Sequence, residues 1–121
     1  MILVDSSVWI DHFRKGNEEL KGLLYSNQVM LHDFVIGELA LGNFRNRKIV
    51  LQMLSDLPKA ICATIDEAFL FIDKHRLYEL GIGYIDSHLL ASAMLTEARL
   101  WTNDKKLKEI AVKLGCSYER N

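Results

Sequence analysis

Four acids, Asp5, Glu38, Asp86 and Asp104, occupy positions where a solvated charge is not the first expectation. Asp5 closes the apolar run Ile2-Leu3-Val4, and Asp104 comes two residues after Thr102, at the end of a second short run. Such runs read as buried strands, and ligands of parallel α/β sheets bind at the carboxyl ends of strands. Glu38 lies one helical turn from both Phe34 and Leu41, on or beside the stripe that should meet a sheet. Asp86 precedes Leu89, Leu90 and Ala93 at helical spacing, which places a carboxylate at the top of a buried face. Unpaired, such charges cost several kcal/mol or take up protons, and crowded acids raise one another's pKa. A bound cation removes that difficulty. Carboxylate oxygens without sulfur or imidazole favour magnesium or manganese over zinc. An ion held this way activates water and neutralises phosphate, the chemistry of metal-assisted phosphodiester hydrolysis. Taken singly, Asp104 is equally a helix cap and Asp5 equally a strand end accepting backbone donors, whereas Glu38 and Asp86 are harder to dismiss, their alternative being a stripe-edge position that reaches solvent. The four together carry the chemistry.

The elements that must position these acids alternate. A strand at Ile2-Leu3-Val4 is followed by helices from Ser7 to about Lys15 and from Glu18 to Tyr25, with Gly16-Asn17 between them. Gln28 to His32 reads as a second strand, after which Asp33 caps a helix carrying Glu38. Another helix ends before Pro58, and Ala60 to Ile65 is a strand or extended connector. One long amphipathic helix is predicted from Asp66 to Leu80, closed by Gly81-Ile82-Gly83, and a further helix from Tyr84 or Asp86. Arg99 to Thr102 forms a short strand, Asp104 opens a last helix ended by Gly115, and Cys116 to Tyr118 is a candidate final strand. Strands alternating with helices predict an α/β fold: a three-layer α/β/α sandwich with a short, mostly parallel central sheet.

The chain has 121 residues, the length of a single domain spanning 1–121, with no repeat or linker. Half of its residues are apolar and 26% are charged, which excludes a disordered tail or a coiled coil. No apolar stretch approaches the roughly 20 residues of a membrane span. The amino-terminal Met-Ile-Leu-Val-Asp has no basic leader or cleavage site, so a cytoplasmic location is expected. Cys62 and Cys116 lack metal or redox spacing and are read as reduced, packed thiols. The net charge of −1 announces no nucleic-acid binder, so any such contact must be local. Basic clusters occur at Arg14-Lys15, Arg45 to Lys48 and Lys105 to Lys108. Lys105, Lys106 and Arg14 are the candidate phosphate contacts, each also readable as solvated surface. His12, His32, His75 and His88 show no ligand spacing, and Trp9 and Trp101 are read as packing groups.

Val4-Asp5-Ser6-Ser7-Val8-Trp9-Ile10, Gly37-Glu38-Leu39, Asp86 before an apolar helix, and Trp101-Thr102-Asn103-Asp104 together resemble a PIN-domain ribonuclease of the VapC toxin type. The resemblance spans most of the chain. It implies a PIN-like fold in which Asp5, Glu38, Asp86 and Asp104 share a pocket for one or two magnesium or manganese ions. Ser6 would assist, although family members often carry threonine there, and Thr102 matches the hydroxyl residue before the last acid. The resemblance further implies endonucleolytic cleavage of structured RNA, inhibition by a cognate antitoxin protein, and a homodimer.

Two rivals share parts of this pattern. An inactive PIN-like scaffold would keep the fold, but all four acids are present. A phosphate-accepting α/β domain of the receiver or aspartyl-phosphatase sort also places acids at strand ends. An aspartyl phosphatase needs a second Asp where Ser7 stands, and a receiver needs an acidic pair near the first strand.

Overall fold

The computed structural model describes residues 1–119. The first strand, β1 (Ile2–Val4), is the centre of a three-stranded parallel sheet, with β2 (Val29–Met30) on one side and β3 (Arg99–Trp101) on the other. The register sets Leu3 opposite both Met30 and Leu100, and Val4 opposite Trp101. All three residues of β1 are buried, which is why its sequence is continuously apolar rather than alternating. Among the described residues seven α-helices surround the sheet: α1 (Ser6–Lys15), α2 (Glu18–Tyr25), α3 (Asp33–Ala40), α4 (Arg47–Ser55), α5 (Ile65–His75), α6 (Tyr84–Thr96) and α7 (Lys105–Leu114). The result is an α/β/α sandwich, as the alternation of patterns predicts. Leu3, Val4, Leu20, Leu31, Leu89, Leu90, Leu100 and Leu107 form the heart of one apolar core.

Several local readings need correction. The second strand is two residues rather than five, because Leu31 leaves it to bridge Lys59 and His32 turns into α3. His32, not Asp33, caps that helix: its Nδ1 accepts the Phe34 N–H at 2.9 Å. The predicted helix from Asp66 to Leu80 is two pieces. A capping box of Thr64 and Glu67 starts α5 at Ile65, and Arg76 in the left-handed region (φ 54°) ends it before a 3₁₀ turn at Leu77–Glu79. Apolar spacing persists across that break, so periodicity alone does not reveal it. Ala60 to Thr64 takes the connector form, one of the two expected, while Ile65 already belongs to α5; Cys116 to Tyr118 contributes one bridge, Ser117 to Leu100, rather than a strand. Cys116 is packed, but Cys62 is exposed.

One buried contact sets the spacing of the acid-bearing helices. His32 Nδ1 is an acceptor, so its Nε2 carries the proton and donates to Ser92 Oγ at 3.0 Å. That bond ties the start of α3, which carries Glu38, to the middle of α6, which carries Asp86. Both residues of the pair are fully buried.

Candidate active site

The strand order β2-β1-β3 sends the chain to opposite sides of β1, so the carboxyl ends of β1 and β3 flank a switch-point crevice. Asp5 leaves β1 there, its N–H donating to Trp101 O at 2.9 Å. Its side chain is buried and caps α1: Oδ1 accepts the Ser6 N–H at 2.8 Å. Oδ2 accepts two hydroxyls, Ser7 Oγ at 2.8 Å and Thr102 Oγ1 at 2.7 Å. A buried carboxylate needs such donors, and hydroxyls supply them without cancelling its charge.

Asp104 is held from the β3 side. It caps α7 by accepting the Leu107 N–H at 2.9 Å, while its own N–H donates to Thr102 Oγ1 at 3.0 Å. Thr102, buried, therefore connects two of the acids. Asp86 lies half-buried in the first turn of α6, just before the buried run that starts at Ser87 and His88. Glu38 comes from α3, where Val35 and Leu39 turn inward and Glu38 itself is exposed at the edge of the stripe. Ser6 Oγ reaches it, donating to Glu38 Oε1 at 3.2 Å.

Electrostatics shows that the four share one field. Partial desolvation where it meets the crevice pushes the Glu38 carboxyl above its ordinary value, the Ser6 hydroxyl opposes the shift, and repulsion from Asp5 and Asp86 adds to it. Burial likewise raises Asp86, with repulsion from Asp5 and Asp104 in the same direction and a backbone hydrogen bond from Gly83 against it. Among the described residues the ion pairs are Lys15–Asp11, Lys21–Glu18 and Arg76–Glu79, all away from the crevice acids.

The donor set, hard oxygens in a shared negative field, fits a divalent cation of the magnesium or manganese kind. As the side chains stand, among the described residues no three of Asp, Glu, His or Cys meet at ligating distance from one point. Asp5 and Asp104 are engaged by hydroxyls and amides, and Glu38 faces Ser6. Mutual repulsion favours that spread.

The structure thus brings together Asp5, Ser6, Glu38, Asp86, Thr102 and Asp104. Lys105 and Lys106 open α7 directly after Asp104, and the Lys106 ammonium crosses towards the turn before α6, where a Cβ on Gly81 would stand 3.2 Å from it. Arg14 is not brought to the crevice: it sits in the last turn of α1, roughly 12 Å along the axis from Ser6. Sequence reasoning missed Ser7 and Asn103. Ser7 Oγ accepts the Asn103 N–H at 3.0 Å. The double serine after Asp5 was the available signal, but only the pairing of β1 with β3 shows which way each hydroxyl turns.

Comparisons with known proteins identify the family and the fold. The PIN domain family model matches residues 2–113. Ribonuclease VapC32 of Mycobacterium tuberculosis, from two strains, is 42% identical over 116 residues, covering 95% of this chain and 94% of the relative. FitAcB from Neisseria gonorrhoeae superposes with a TM-score of 0.65 at 19% identity, covering 93% of this chain and 94% of that one. PAE2754 from Pyrobaculum aerophilum superposes with a TM-score of 0.58 at 15% identity, covering 94% and 88%. These two share the fold. From the matched span, the identity to VapC32 and the four acids in their expected order, the chain belongs to the PIN-domain family, among its VapC-type members.

Proposed function

We propose that this chain is a magnesium- or manganese-dependent endoribonuclease that serves as the toxin of a toxin–antitoxin pair. The observation that carries the reading is the field shared by Asp5, Glu38, Asp86 and Asp104, none of which is in an ion pair among the described residues. Its similarity to a protein named as a ribonuclease supports the same conclusion.

Asp5, Asp86 and Asp104 would hold the ion, directly or through water. What a bound magnesium or manganese ion supplies is an activated water and charge compensation at the phosphate. Glu38, facing the same crevice from α3 with its carboxylate fixed by Ser6, would either join these ligands or orient the attacking water. Thr102 keeps Asp5 and the turn before Asp104 in register. Hydrolysis of this kind leaves a 5′ phosphate and a 3′ hydroxyl. Lys105 and Lys106, beside Asp104, are the best-placed groups for backbone phosphates of the RNA. The partners of this reading are an RNA substrate, a cognate antitoxin protein and a second copy in a homodimer. Its setting is the cytoplasm, and among the described residues no helix is long and apolar enough to cross a membrane.

The test is cleavage of a panel of structured RNAs by purified chain, with magnesium, with manganese and with chelator, beside Asp5→Asn. Chelation and Asp5→Asn are each expected to reduce the rate on the order of a hundredfold or more. Cleavage that survives chelation, or that is unchanged in Asp5→Asn, overturns the mechanism.

A further inference from the structure

We propose that Ser7 is a positioning residue of the acidic crevice, orienting the Asp5 carboxylate and latching the turn that carries Asp104 to the exit of β1. The consequence for catalysis rests on the nuclease reading above, whereas the latch itself rests on hydrogen-bond geometry alone.

A hydroxyl has one proton and two lone pairs, so its contacts can be accounted for completely. Ser7 Oγ has three neighbours: Asp5 Oδ2 at 2.8 Å, the Asn103 N–H at 3.0 Å and Thr102 Oγ1 at 3.4 Å. The proton goes to the carboxylate, the shorter and charge-assisted bond, and a lone pair takes the Asn103 N–H. Thr102 spends its own proton on the same Oδ2 at 2.7 Å. The contact between Ser7 and Thr102 therefore has no proton to fill it, and the two neighbouring hydroxyls converge on one oxygen.

Oδ1 is less committed. It accepts the Ser6 N–H at 2.8 Å, while Ser6 Oγ is 3.5 Å away and lies nearer Glu38. The carboxylate is thus held at Oδ2 by Ser7 and Thr102 and at Oδ1 by the Ser6 N–H. The two adjacent serines divide the work: Ser6 turns to Glu38 on α3, and Ser7 to the turn between β3 and α7. That turn is gripped twice, because Asn103 Nδ2 also donates to Ser7 O at 3.4 Å. An alanine at position 7 would leave the Asn103 N–H without its acceptor and Oδ2 with one hydroxyl in place of two.

The test compares wild type with Ser7→Ala and Ser7→Thr by amide hydrogen exchange at Asn103, manganese affinity by electron paramagnetic resonance, and steady-state RNA cleavage. In Ser7→Ala the Asn103 amide is expected to exchange on the order of tenfold faster. Manganese affinity is expected to fall about tenfold, as for other groups that orient ligands, with kcat reduced and KM within about twofold. Ser7→Thr, which keeps the hydroxyl, is expected to restore all three. Unchanged exchange at Asn103 in Ser7→Ala overturns the latch whatever the cleavage assay shows, and unchanged manganese affinity overturns the orienting role. A wild type that cleaves no RNA with either metal sinks the nuclease reading, while exchange at Asn103 still judges the latch. Should Ser7→Ala fail to fold, Ser7→Cys, of similar size but a weak donor and acceptor, carries the same comparison.

Discussion

Thr102 Oγ1 donates to Asp5 Oδ2 at 2.7 Å across 97 residues of sequence. The contact exists because β1 and β3 are parallel neighbours, with Val4 opposite Trp101, so the residues leaving the two strands emerge side by side. The same Thr102 oxygen accepts the Asp104 N–H, which makes it the hinge between two acids on different elements. Thr102→Val keeps the shape and removes both bonds within a buried site. It is expected to cost about 1–3 kcal/mol in urea unfolding and to lower cleavage by more than the loss of folded protein accounts for. Equal activity per folded molecule would show that Thr102 only stabilises the fold.

Charge neutralisation at the crevice is expected to stabilise the protein. Burial and neighbouring carboxylates raise Glu38 and Asp86, so the folded state disfavours their charged forms. Their favourable contribution is fully present below the ordinary carboxylate range and is lost as pH rises through the raised values. Glu38→Gln and Asp86→Asn should therefore melt higher than wild type at pH 7, by about 0.5 kcal/mol each after allowance for solvent screening, and lose that advantage near pH 4. Magnesium should raise the wild-type melting temperature at pH 7 and raise that of Asp86→Asn much less. A cation-independent melting curve in wild type would contradict metal binding at these acids.

His32 is expected to give the opposite pH dependence. Burial, with repulsion from His88 next, holds its pKa below the ordinary 6.5, although Asp33 pulls the other way. A depressed folded value means that its contribution is present above the unfolded value and is lost as pH falls below it. Protonation would also remove the acceptor that caps α3 at the Phe34 N–H. His32→Asn keeps a capping oxygen, and it is expected to be less stable at pH 7 by about 1–3 kcal/mol through loss of the Ser92 contact. Between pH 6.5 and 5 its urea midpoint should change less than that of wild type. A steeper change would refute the assignment.

Stability and activity should separate at α5. Thr64 Oγ1 accepts the Glu67 N–H at 3.1 Å and Glu67 Oε1 accepts the Thr64 N–H at 2.8 Å, yet the helix they start carries none of the four acids. Thr64→Ala is expected to cost about 1 kcal/mol in chemical denaturation and to leave cleavage by folded protein within about twofold. A large loss of activity would give α5 a role that the geometry does not.

The acids were legible in the chain because each sits at the end of an element or in its first turns. An apolar run that stops at Asp5, or a helical pattern that begins after Asp104, is a local signal with a local cause. Long-range facts left weaker traces. Apolar spacing runs unbroken through Arg76, where the backbone turns left-handed, and nothing near Asp33 shows that the neighbouring His32 takes the cap by burying its ring against Ser92. Cys62 is apolar enough to read as core, yet it lies on the connector after Ala60 and stays exposed.

Local patterning thus dictated which residues are strand, helix and acid, since side-chain periodicity and capping act within a few residues. Folding in three dimensions chose the order β2-β1-β3, the neighbours of each carboxylate and the opposite turns of Ser6 and Ser7. Those choices depend on which strands pair and which helices share a core, and such contacts join segments too far apart in sequence for any local pattern to encode.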